Sequence, residues 1–126
     1  MKIVKLTSSF NTSKLDKILS DRSLQNEKER QKLLQKVMQW LDSHGSQHGI
    51  QTAYIFGSLT QPQRFHQNSD IDIAVEQINP EDFFVVISLI YEALGRDVDV
   101  IEVNKCHFGD RIKQKGIRWT ATNLSF

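Results

Sequence analysis

The chain has 126 residues and a mass of 14.6 kDa, with 39% apolar and 25% charged residues. Those values suit one folded domain spanning residues 1–126 and exclude a disordered, collagen-like or repeat protein. The net charge of +1 hides a segregation: residues 1–49 carry +4, residues 50–104 carry −7 and residues 105–126 carry +4, so bulk charge gives no support to direct nucleic-acid binding.

The single cysteine, Cys106, excludes an internal disulfide and fits a reducing compartment. No apolar run approaches the ~20 residues of a membrane span, and Met1 to Leu6 lack the apolar stretch of a signal peptide. A cytoplasmic protein without membrane contact is the expectation.

In chain order, Asn11, Thr12 and Ser13 are candidate caps for a short helix with Leu15, Ile18 and Leu19 on one face. The polar run Ser20 to Asn26 reads as a break, which leaves 1–25 as an N-terminal extension. A longer helix follows from about Glu27 to Ser43, with Leu33, Leu34, Val37, Met38 and Leu41 at helical spacing and Gly45 as its stop. Ala53 to Phe56 is a short β-favouring run halted by Gly57-Ser58. Leu59 to Ser69 is polar and reads as irregular.

Asp70 to Val75 alternates with period two and reads as a second strand. Asn79-Pro80-Glu81-Asp82 is a helix start, with acids at the positive end. Phe83, Phe84, Ile87, Ile90, Tyr91 and Leu94 are the expected apolar face, and Gly95 the stop. Asp97 to Val103 alternates as a third strand, and Cys106 to Lys115 reads as a last helix closed by Gly116. The tail from Ile117 to Phe126 is ambiguous. The link between the first two strands is short for a parallel crossover. The expected fold is therefore α+β, a mixed sheet of at least three strands flanked by helices.

Asp70 and Asp72 are two apart on a strand, so their side chains leave one face while Ile71 and Ile73 leave the other. Two carboxylates so close repel unless a cation neutralises them. A solvated edge tolerates the pair; a central strand calls for a metal, and hard oxygen ligands suit Mg²⁺. Asp99, on another alternating strand, can join them if the strands are neighbours, with Asp97 as a competitor. Three carboxylates facing two divalent ions is an arrangement for phosphoryl or nucleotidyl transfer. Gly57-Ser58, alone, is a turn; ending a strand, it can aim backbone N–H groups and a hydroxyl at a phosphate. His44 and His48 are four apart, but Gly45 and Gly49 break the helix that would align them, and they read as structural or solvated. His66 lies near the acids and could touch a substrate. Arg111, Lys113 and Lys115 read as a solvated face or as contacts for an acidic partner.

The order of Ala53-Tyr54-Ile55-Phe56-Gly57-Ser58, Ser69-Asp70-Ile71-Asp72-Ile73-Ala74-Val75 and Asp97-Val98-Asp99-Val100-Ile101-Glu102, followed by Arg111 to Gly116, resembles the minimal nucleotidyltransferases of the DNA polymerase β-like superfamily. The resemblance covers roughly residues 30–118, the motif-bearing core. It implies a nucleotidyltransferase fold in which Gly57 and Ser58 hold the outer phosphates of a nucleoside triphosphate. It further implies that Asp70, Asp72 and Asp99 are the catalytic residues and the ligands of two Mg²⁺ ions. The implied reaction is transfer of a nucleoside monophosphate, AMP from ATP, to a hydroxyl of a HEPN-type toxin, with this chain as antitoxin. After Gly57-Ser58 the family usually has a small residue, an arginine and a second glycine; here Leu59 to Phe65 contains Arg64 and no glycine. Two other readings follow: an inert transferase-like antitoxin acting by contact, and a catalytic subunit modifying a small molecule or tRNA.

Overall fold

The computed structural model describes residues 2–122, with side chains from 12 to 122. Helix α1 spans Lys2–His44, and a 3₁₀ turn, Gly45–His48, leads into β1, Thr52–Phe56. A second 3₁₀ turn, Gly57–Thr60, and a loop precede β2, Ile71–Val75. Then come α2, Phe83–Leu94; β3, Val98–Glu102; α3, Gly109–Lys115; and β4, Ile117–Thr120.

The sheet order is β3-β2-β1-β4. Strand β1 is antiparallel to β2 and β4, and β2 is parallel to β3, so the sheet is mixed, as expected. The parallel pair is joined through α2, a crossover of the usual kind. Period-two alternation sends Ala53, Ile55, Ile71, Ile73, Val75, Val98 and Val100 to one face, where they pack with Leu33, Val37, Trp40 and Leu41 of α1 and with Val86 and Ile90 of α2. The opposite face carries a smaller cluster: Tyr54, Ala74 and Val103 against Ile112 of α3. One face is thus sealed by the two longer helices, and the other is only partly covered.

Four expectations are corrected. The break at Ser20–Asn26 is absent, and α1 runs through it. The segment contains no Gly or Pro, and polar side chains at exposed positions tolerate a helix. The cap expected at Thr12 or Ser13 is likewise inside the helix; the side chain of Asn11 lies outside the described residues. The last helix begins at Gly109, not Cys106, after a 3₁₀ turn at Val103–Lys105.

On α2, Phe84 and Tyr91 are 76% and 53% exposed, so they are not core. In a helix apolar nearly all round, Val86 faces the sheet in their place, beside the expected Ile90, with Phe83, Ile87 and Leu94 packed alongside. The ambiguous tail forms β4, seated by Ala53↔Trp119 pairing and by a hydrogen bond from Trp119 Nε1 to Asp42 Oδ1 at 2.7 Å. Residues 123–126 of that tail lie outside the described residues. Among the described residues, no helix is long and apolar enough to cross a membrane.

Candidate functional site

The site grows from the register of three strands. Phe56 of β1 pairs with Asp72, and Asp72 pairs with Asp99 of β3. Directly paired residues share a face, so Phe56, Asp72 and Asp99 project from the partly covered side. They lie one step beyond Tyr54, Ala74 and Ile101, which α3 overlies. Asp70 sits just before β2, where Ile71 N donates to Asp97 O at 2.9 Å and ties the starts of β2 and β3 together.

Asp72 is half-buried while Asp70 and Asp99 are exposed. Burial, then the charge of Asp99, then that of Asp70, raises the Asp72 carboxyl from 3.8 to about 6. Asp99 is the residue paired with Asp72, whereas Asp97 lies just before β3.

Gly57 closes the site from the other side. Its φ is +75°, which disfavours any side chain, and a Cβ there would run into the carboxylate of Asp72. The sequence Phe56-Gly57-Ser58 thus turns sharply out of β1 directly beside Asp72. Thr60 Oγ1 donates to Gly57 O at 2.8 Å and fixes the turn.

Two arginines hold the loop from 59 to 69. Arg30 of α1 donates to Leu59 O at 3.1 Å. Its fork also binds Glu27 at 2.9 and 2.7 Å, which holds that carboxyl down to about 2. Arg96 donates to Ser69 O at 2.9 Å and lies 5.0 Å from the Phe65 ring centroid. His66 Nδ1 accepts from Asn68 N at 3.2 Å, within that loop.

Among the described residues, no three His, Cys, Asp or Glu side chains stand close enough to hold a metal ion as they are. The donor set nevertheless fits one. Two exposed carboxylates, Asp70 and Asp99, stand beside the half-buried Asp72 and oppose its ionisation, and a divalent cation relieves that repulsion. Unneutralised carboxylates favour splayed positions, and the two exposed ones have room to turn.

Two open cavities flank the acids. One, about 720 Å³, is bounded by Asp70, Asp97, Asp99, Tyr91 and Ser88. The other, about 600 Å³, adjoins Gly57 and includes Phe56, Arg64, Phe108, Arg111 and Lys115 in its walls. Sequence reasoning did not place Tyr91, Arg96, Arg111 or Lys115 near the acids. For the last two the signal was present: an i, i+4 spacing beside the packing residue Ile112.

The chain belongs to the family described as Polymerase beta, Nucleotidyltransferase, whose model matches residues 35–119. No curated protein matches the sequence significantly. Among solved structures, a chain of a mutant of the toxin–antitoxin MntA-HpeT is 24% identical, with a TM-score of 0.52 over 71% of this chain and 72% of that one. That is a likeness of fold. A chain of a toxin–antitoxin structure with AMP-PNP is 28% identical, with a TM-score of 0.47 over 59% of this chain and 63% of the other. The match therefore spans less than two thirds of that neighbour's length.

Proposed function

We propose that this chain transfers a nucleoside monophosphate, AMP from ATP, to a hydroxyl of a partner toxin and acts as its antitoxin. The observation that carries the reading is the alignment of Asp72 with Asp99 across parallel strands, with Gly57 packed on the Asp72 carboxylate. Family membership supports the reaction class. The toxin–antitoxin neighbours motivate the kind of partner, and a HEPN-type toxin is the form the sequence resemblance implies.

In this reading Asp70, Asp72 and Asp99 hold two Mg²⁺ ions, which when bound neutralise charge building up on the phosphates. Gly57 and Ser58 seat the outer phosphates at the turn out of β1. Asp99, exposed on the outer strand, accepts the proton of the attacking hydroxyl. The hydroxyl oxygen forms a bond to the α-phosphorus, the bond from that phosphorus to the β-bridging oxygen breaks, and pyrophosphate leaves.

The test is the intact mass of the partner after incubation with this protein, labelled ATP and Mg²⁺. A transferase at a small fraction of the partner's concentration makes all of it heavier by one or more AMP units. Asp99→Asn abolishes transfer and leaves partner binding intact, because Asp99 serves the reacting atoms.

A second reading, neutralisation by contact alone, is favoured by one observation. The loop after Ser58 bonds to itself: Gln61 N donates to Ser58 O, and Arg64 N and Phe65 N to Gln61 O, at 3.0, 3.0 and 3.3 Å. Those amides are not offered to a phosphate. An unchanged partner mass, with neutralisation only at one-to-one ratios or above and retained by Asp99→Asn, selects this reading and removes the catalytic roles.

A further inference from the structure

The cavity beside Gly57 has a charge that the acidic site lacks. Its walls include three cations, Arg64, Arg111 and Lys115, and no carboxylate. Arg111 and Lys115 lie four apart on α3, so they stand on one side of that helix. Neither side chain makes an ion pair or hydrogen bond among the described residues, whereas that of Lys113 between them is engaged by Asn104 at 3.1 Å and Glu76 at 3.4 Å. Among the described residues, the Arg64 side chain is bonded to Gln61 alone, at 3.4 Å. The cavity opens on the face that carries Asp72, since Phe56 is both in its wall and paired with Asp72.

We propose that this cavity receives the polyphosphate arm of the nucleotide, with Arg111 and Lys115 as its principal clamp. The inference rests on the nucleotidyl-transfer reading and deepens it. The amides of Gln61, Arg64 and Phe65 are bonded within the loop after Ser58, so those three do not cradle a phosphate. Charge-assisted bonds from side chains replace them: a guanidinium fork and an ammonium are strong phosphate donors. The placement also separates charges usefully. Gly57 abuts the Asp72 carboxylate and also lines the cavity that holds the cations, so a triphosphate can extend from the carboxylates past the glycine towards α3. An anionic polyphosphate suits the cavity better than an acidic peptide, because Gly57, one of two glycines in its wall, lets phosphate oxygens approach the backbone closely.

The test is calorimetric titration of the full chain with Mg²⁺ and, separately, ATP, AMP and inorganic tripolyphosphate. The double variant Arg111→Gln/Lys115→Gln is compared with wild type and with Lys32→Gln/Lys36→Gln. The latter removes equal charge from exposed positions on α1. Expected is a loss of about tenfold or more for ATP and tripolyphosphate in the α3 double variant, with AMP changed by less than about threefold. The α1 control should bind all three as wild type does.

Wild-type affinity for ATP and tripolyphosphate in the α3 variant overturns the inference. So does an equal loss in the α1 control, or no binding of tripolyphosphate to the wild type. The two proposals fail separately. Clamp-dependent polyphosphate binding without any transfer to the partner sinks the transferase reading and keeps the clamp. Transfer by the α3 variant with an unchanged KM for ATP sinks the clamp and keeps the transferase. Both substituted residues are exposed, and a thermal melt of each variant confirms that it is folded.

Discussion

Asp72 concentrates the conflict between burial and charge in this fold, and its titration can be read in stability. Its folded-state value is about 6 against 3.8 for the free group. A raised value means that the neutral form is favoured in the folded state. The contribution is complete below pH ~4 and is lost as pH rises through ~6. The shift alone corresponds to about 3 kcal/mol, and partial exposure reduces this to the order of 1 kcal/mol. Asp72→Asn should therefore melt higher than wild type at pH 8 without divalent metal, with the gap closing by pH 4. A gap independent of pH between 4 and 8 would contradict the assigned cause. Gly57 makes the neighbouring demand. Gly57→Ala forces a side chain into φ +75° and into the Asp72 carboxylate, at a cost of about 1–3 kcal/mol. Urea unfolding should show that loss, whereas Gly95→Ala meets nothing within 4 Å and should show only the smaller backbone penalty of its φ of +67°.

Helix α1 divides into two parts that differ in what they bury. At ~1.5 Å per residue its 43 residues reach about 65 Å. Residues 12–25 are all exposed, while Leu33, Val37, Trp40 and Leu41 enter the core. Removing residues 1–25 should leave the thermal midpoint within a few degrees of wild type, whereas Leu41→Ala should cost about 2–5 kcal/mol. A large loss from the truncation would show that the exposed part supports the core. The strands and the core half of this helix were legible because their apolar spacing carried the signal. The polar run 20–26 was misread because composition suggests a loop, and only the absence of Gly and Pro argues otherwise. For α2, Phe83 to Leu94 is apolar on both sides, so periodicity picked out Ile90 but could not choose Val86 over Phe84 and Tyr91; the sheet chooses. Strand β4 is four residues long, and its pairing with Ala53 is invisible without the fold.

Over the whole molecule, the sheet converts linear charge segregation into a spatial one. The acids were legible at positions 70, 72 and 99 because period two fixes a face, but their proximity needed the parallel register of β2 with β3. The cations of α3 were ambiguous because the direction in which Arg111 and Lys115 face depends on Ile112 seating under the sheet. The folded state alone assembles Asp70, Asp72 and Asp99; the unfolded chain offers them only as separate carboxylates. A ligand that binds only the folded form stabilises it by RT ln(1 + [L]/Kd), about 2.7 kcal/mol at a hundredfold excess over Kd. Mg²⁺ should therefore raise the thermal midpoint of wild type in a saturable way. Asp72→Asn starts from a higher midpoint in metal-free buffer at pH 8 and should gain little from Mg²⁺, since one ligand charge and the repulsion that favours the cation are both gone. The two melting curves should converge, or cross, as Mg²⁺ is added. Parallel increases in both proteins would place the bound cation somewhere other than these carboxylates, and the metal assignment for Asp70, Asp72 and Asp99 would fall while the fold that aligns them stands.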